Sequence, residues 1–335
     1  AYHRRQRQMC IRDRSYSNEE VIHFGLIPRA HRCIFVLNEL PDLQPRIQVS
    51  LFSILEEKEI QIRGFKVRLP LDIQFIFTSN PEDYTNRGTI VTPLKDRVGS
   101  QILTHYPESI EIAKKITKQE SKIDLELGSK IHIPEVARDI IEQISFEARE
   151  SDLVDRKSGV SARMSITSLQ NLVSSAERRM IINKEGKTSI RMSDFSSVIS
   201  SINGKVELVY EGEEEGAEQV SYNLISSAVK SIFNKYFPKI EKLTKPDEIT
   251  PYDSLLNWFS NRQLVINDNL NNKDYENLLN EVIDAKKLIK KYIPELNDND
   301  ELFFVEFILW GLESYNKLSI SVSYTHLRAH ETVGN

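Results

Sequence analysis

Four short stretches carry side chains suited to handling a water or a phosphate. In CIFVLNEL, residues 33–40, an unbroken apolar run stops at the polar pair Asn38-Glu39. Such a run reads as a strand buried in a parallel sheet, and its carboxyl end is the edge where open α/β folds bind ligands. A carboxylate placed there can polarise a water, while the neighbouring amide can hydrogen-bond a metal-bound water without adding charge. FIFTSNPEDY, residues 75–84, ends a second apolar run at Asn80, 41 positions after Glu39. TPLKDRVGSQI (92–102) and GVSARMSI (159–166) supply Arg97 and Arg163, whose guanidinium forks match phosphate oxygens. Each residue also has a plainer reading. Asn38-Glu39 can be a strand end with a helix cap, Asn80 a turn residue before Pro81, and Arg97 a solvated charge. Ser161 or Ser165 can cap the helix that begins near Arg163, and Arg178-Arg179 reads as a solvated face.

The elements that must position these residues follow from periodicity. Strands are expected at 33–37 and 73–77, with an amphipathic helix over 43–56 carrying Ile47, Leu51, Ile54 and Leu55 at helical spacing. Ile60, Ile62, Phe65, Val67 and Leu69, bent at Gly64, predict a hairpin. A further short strand is expected around 101–104. Beyond Pro107 the signals are helical, at 108–119, 134–149, 165–182 and 193–202. The acidic stretch 209–216, VYEGEEEG, reads as a linker, and 217–318 as more amphipathic helices anchored by Trp258, Trp310 and Phe303-Phe304. The fold class is therefore α/β followed by all-α: a partial core over 15–106, a helical lid over 107–208, the linker, and a C-terminal helical region over 217–320.

Composition narrows the class further. The 335 residues are 40% hydrophobic and 28% charged, which excludes fibrous and wholly disordered chains. No apolar run approaches the roughly 20 residues of a membrane span, and no secretory leader opens the chain, so a cytoplasmic protein is expected. Cys10 and Cys33 have no partner at metal spacing. The end runs 1–14 and 321–335 resemble translated adapter sequence and are set aside as non-native. Without the five Arg and one Asp of residues 1–14, the net charge of −5 becomes −9, which argues against nonspecific nucleic-acid binding.

In order and spacing the four stretches resemble a P-loop ATPase of the AAA+ class. The combination of GLIPRAHRCIFVLNELPDLQ, LPLDIQFIFTSNPEDYTNRG and TPLKDRVGSQI resembles the magnesium chelatase I and MoxR group, over residues 21 to about 204. The resemblance implies that Glu39 polarises the water attacking the γ-phosphate of ATP, and that Asn80 serves as sensor 1. It implies that Arg97 is an arginine finger reaching a neighbour's nucleotide, and that Arg163 is the sensor 2 arginine of the lid. Asn38 stands where that group carries an Asp acting through the Mg2+ shell, and it could reach the ion only through water. A homo-oligomeric ring, expected to be a hexamer, is also implied, with a von Willebrand A domain partner and a client that is remodelled or loaded with metal.

No G-x-x-x-x-G-K-[ST] occurs in the sequence. Gly186-Lys187-Thr188 fails the pattern, because Ile181 stands where its first glycine belongs. The chain is therefore expected to be a gene fragment without its phosphate-binding loop, and to be inactive alone. Two other readings stay open: the ATPase core of an enhancer-binding transcription activator, and a noncatalytic interaction module.

Overall fold

The computed structural model describes residues 24–61, 68–80, 89–156, 158–240, 250–260, 262–321 and 325–329. The chain divides into two compact units, residues 1–104 and 105–335.

The first unit is built on two parallel strands. Helix α1 (Leu26–Arg29) leads into β1 (Ile34–Leu37), which pairs in parallel with β4 (Gln74–Phe77), Ile34 facing Gln74 and Leu37 facing Phe77. Parallel neighbours need a crossover. It is supplied by α2 (Pro45–Glu56) and the antiparallel hairpin β2 (Glu59–Gln61) and β3 (Arg68–Pro70). Pro45 at the first helical position fixes φ where no intrahelical donor is needed, so α2 starts there. Leu51 and Ile54 turn from α2 into a small core with Leu40, Leu71 and Leu94, the last from α3 (Thr92–Arg97).

Two expectations are corrected in this unit and one at the start of the second. The two strands are not buried on both faces: Ile34, Val36 and Ile76 are exposed, while Phe35, Phe75 and Phe77 pack together on the other side. Residues 101–104 form no strand and leave Ile102 and Leu103 exposed, because among the described residues no backbone pairs with them. The helix expected at 108–119 starts at Ile110 instead, after Ser109, whose hydroxyl accepts the Ile112 N–H as a cap. The hairpin tip with Gly64, the turn at Pro81 and the run 1–14 lie outside the described residues.

The second unit is helical. Its long helices are α4 (Ile110–Glu120), α6 (Glu135–Glu150), α7 (Arg163–Ile182), α10 (Ala217–Tyr236) and α14 (Glu301–Ser314). Between them lie α5 (Leu125–Lys130), α8 (Ile199–Asn203), α9 (Tyr210–Glu215), α11 (Asp253–Ser260), α12 (Asn272–Asn280) and α13 (Ile283–Tyr292). Helix α14, ELFFVEFILWGLES, is apolar almost all round and is correspondingly buried through its middle, from Phe303 to Leu312. Gly311 lets the Phe233 ring of α10 lie against its backbone, where any Cβ would collide. Two short strands, β5 (Ile131–His132) and β6 (Thr188–Ser189), pair in parallel.

One continuous core joins the segments read as lid and C-terminal region, with Ile140, Leu172, Val229 and Phe307 all inside it. The acidic stretch 209–216 accordingly folds as α9 instead of forming an extended linker. Gly212 seats that helix against the Leu153 carbonyl, 2.6 Å from where a Cβ would stand. Residues 325–329, within the run set aside as non-native, form β9, the middle strand of an antiparallel sheet between β7 (Leu264–Ile266) and β8 (Leu318–Ser321). Among the described residues no helix is long and apolar enough to cross a membrane.

Candidate active site

Because β1 and β4 run parallel and in register, the residues after Leu37 and Phe77 leave the sheet at one edge. Asn38, Glu39 and Asn80 are all exposed there. Thr78 ties the two chain segments together. Its N–H donates to the Leu37 carbonyl at 3.0 Å, and its own carbonyl accepts the Leu40 N–H at 2.9 Å. Its Oγ1 accepts the Glu39 N–H at 3.0 Å and donates to Asn38 Oδ1 at 3.3 Å.

These bonds hold Glu39 in the left-handed region, at φ 53° and ψ 57°. A non-glycine residue there costs on the order of 1–2 kcal/mol, and such outliers gather at functional sites. The conformation turns the chain sharply after Asn38 and leaves the Glu39 carboxylate at the open edge. Thr78 was not among the residues expected at this edge, although a hydroxyl follows the second apolar run.

Arg97 ends α3 and is fixed within its own unit. Its Nη2 lies 2.6 Å from Glu56 Oε2 and its Nε donates to the same oxygen at 2.8 Å. Nη1 donates to the Pro93 carbonyl at 2.9 Å, and the guanidinium lies 5.0 Å from the Phe52 ring centroid. The side chain is 28% exposed and that of Glu56 61%, so the pair is solvent-facing. The helix that carries Arg97 is set by Gln48, fully buried, which donates to the Leu43 and Thr89 carbonyls and accepts the Val91 N–H at 2.9 Å.

Arg163 is the first residue of α7, exposed, with its N–H donated to Ser161 Oγ at 3.2 Å. Ser165 is buried and hydrogen-bonded to Ser145 instead, and the N-cap position is Ala162, which offers no side-chain cap, so neither serine caps α7. Arg163 lies in the second unit.

Arg179 is corrected from solvated to buried. It is ion-paired to Asp194 and donates to the Ser189 carbonyl at 2.7 Å. Asp194 also accepts the Arg191 N–H, and the Arg191 guanidinium stacks 3.9 Å from the Tyr275 ring centroid. Glu306 completes this network: its carboxylate accepts the N–H groups of Met192 and Ser193 and the Tyr275 hydroxyl. Burial pushes the Glu306 carboxyl up to about 7, against these donors and Arg191. A lone acid inside the apolar α14 run was the sequence signal for this buried cap.

Among the described residues no direct magnesium site is formed. Asn38 is neutral, and among the described residues no group of three or more metal-ligating side chains occurs. The strand edge supplies a carboxylate, an amide and a hydroxyl facing solvent, a donor set fit to orient and polarise a water.

Comparison with known proteins bears on the first unit. The family described as the Sigma-54 interaction domain matches residues 10–98. No curated protein matches the chain. The crystal structure of a candidate ATPase from Cytophaga hutchinsonii matches over 57% of this chain and 64% of that one, at 20% identity and a TM-score of 0.24, a likeness too slight to argue from. The family match supports an AAA+ ATPase core in the first unit.

Proposed function

We propose that the first unit is the water-activating half of an ATP-hydrolysing AAA+ site. Glu39 polarises the attacking water, and Asn80 orients it. The observation that carries this reading is the common carboxyl edge of β1 and β4, with Glu39 held in a left-handed turn by Thr78. Arg97 is assigned to a neighbouring subunit's nucleotide and Arg163 to the phosphates of its own. For Arg97 that role requires leaving Glu56. An exposed pair of this kind is worth only about 0–1 kcal/mol, so a phosphate can outcompete it. Asn38 lies beside the site without adding charge. ATP is the substrate, its β- and γ-phosphates needing backbone donors that no G-x-x-x-x-G-K-[ST] loop supplies in this sequence. The wider reading is a magnesium chelatase I or MoxR-like ring subunit that couples turnover to remodelling or metal loading of a client beside a von Willebrand A partner.

A second reading, an enhancer-binding activator core, is favoured by the Sigma-54 interaction domain match over residues 10–98. The two share the hydrolytic site and differ in client. Titrating purified sigma-54 against a chain extended upstream to include a phosphate-binding loop separates them: ATP-dependent binding selects the activator. The hydrolytic assignment is tested in the same extended chain by Asn80→Ala, expected to lower turnover by about 10²-fold while nucleotide binding persists. Unchanged turnover removes Asn80 from the site.

A further inference from the structure

The second unit carries two surfaces of opposite charge at opposite ends of one helix. The first is an open cleft of about 1170 Å³ beside β5, β6 and the start of α14. Lys118, Lys122 and Lys187 line it, all exposed and, among the described residues, without a carboxylate partner. Elsewhere in the unit several lysines are paired, as Lys114 is with Glu111 and Asp139 and Lys286 is with Glu301. Of the acids in the cleft wall, Asp124 already caps α5 through the Glu126 N–H, which leaves Glu276. Ile123, Ile133 and Leu302 give the same wall apolar, half-buried stretches. The cleft thus fits an occupant that is acidic with an apolar or aromatic part.

The second surface is α9. Gly212 faces inward against Leu153, which turns Glu211, Glu213 and Glu214 outward beside Tyr210, 69% exposed. The chain carries acids and an aromatic side chain of the kind the cleft fits. The two surfaces cannot meet within one molecule. Leu302 and Phe303, at the start of α14, line the cleft, whereas Glu313, near its end, accepts the Tyr222 hydroxyl from α10 at 2.8 Å. Asn223, next to Tyr222, donates to Glu215 of α9 at 2.6 Å. The fourteen residues of α14 therefore separate cleft from acidic helix by about 20 Å.

From this arrangement we infer that the cleft of one copy receives the acidic helix α9 of a second copy, a head-to-tail contact held by Lys118, Lys122 and Lys187 against Glu211, Glu213 and Glu214. Such a contact is heterologous, using different patches on the two partners, and propagates into a ring or an open chain. It does not depend on nucleotide or on the strand-edge site of the first unit.

Sedimentation velocity of the full chain without nucleotide tests it. Self-association is expected at 0.1 M salt, where the Debye length is about 10 Å, and is lost at 1 M, where it is about 3 Å. The variant Lys118→Glu/Lys122→Glu/Lys187→Glu and the variant Glu211→Lys/Glu213→Lys/Glu214→Lys each weaken association by at least about tenfold. Mixing the two restores it, because each reversed surface then meets its complement. The control Lys235→Glu/Lys290→Glu, on exposed lysines outside the cleft, associates like the parent. Unchanged far-UV circular dichroism establishes that the variants fold. A parent chain that stays monomeric at low salt overturns the inference, as do single variants that associate normally or a mixture that does not. So does a monomeric parent whose cleft captures a labelled acidic peptide or an oligonucleotide, which would assign the cleft to a foreign partner.

Discussion

Replacing Glu306 by Gln removes the one ionisable group in the interior of α14 and changes how the second unit responds to pH. Glu306 is fully buried, and its carboxyl titrates near 7 in the folded chain against an ordinary value of 4.5. Between those values the folded state holds a proton that the unfolded state has released. Stability from this group is therefore fully present below about pH 4.5, is lost as pH rises toward 7, and stays lost above it. The difference corresponds to about 3 kcal/mol, with the donors from Met192 and Tyr275 already acting against the shift. Both tryptophans, Trp258 and Trp310, lie in the second unit, so urea unfolding followed by tryptophan fluorescence reports on it alone. Glu142, Asp268 and Glu313 are also shifted upward by burial, so the parent slope is shared. Glu306→Gln is expected to flatten unfolding free energy against pH between 5 and 7 by the equivalent of about one proton. A variant curve parallel to that of the parent across this window would refute the reasoning.

Other consequences are local. Thr78→Val removes the acceptor of the Glu39 N–H; hydrogen exchange at that amide should accelerate while the Leu40 amide, bonded to the Thr78 carbonyl, keeps its protection, and equal rates in parent and variant would argue against the tether. Arg179→Leu strands Asp194 in the core and should cost about 3–5 kcal/mol in the same fluorescence titration, whereas Arg179→Leu/Asp194→Leu should recover most of that loss. Glu56→Gln, by contrast, should change stability by less than about 1 kcal/mol because the Arg97 pair is exposed. In an upstream-extended chain, Arg97→Ala should abolish turnover yet leave nucleotide binding largely intact; normal steady-state hydrolysis would confine Arg97 to its pair with Glu56.

The parts of the fold that could be read in advance are those set by local pattern. The apolar runs at 33–37 and 73–77 became paired parallel strands, 59–61 paired antiparallel with 68–70, and the long helices begin and end within a few residues of their periodic stretches. What periodicity does not encode is what covers a strand. Ile34, Val36 and Ile76 look like core residues in sequence, yet they face solvent. Partners far apart in the chain are equally hidden: Glu306 caps backbone more than a hundred residues earlier, and Gln48 reaches the Thr89 carbonyl 41 residues later. Arg178-Arg179 read as one solvated face because adjacent helical residues share a sequence context but not a side of the helix. At the candidate site, the position of Glu39 and Asn80 beyond two parallel strand ends was legible because each follows an apolar run. Thr78 was not, because its importance lies in bonds to a strand 40 residues away.

The central claim is that Glu39 activates the attacking water. Its most direct test is single-turnover ATP hydrolysis in a chain extended upstream to include a phosphate-binding loop, comparing the parent with Glu39→Gln. The account expects Glu39→Gln to retain bound ATP and to hydrolyse it at least about 10²-fold more slowly. Hydrolysis at the parental rate would contradict it.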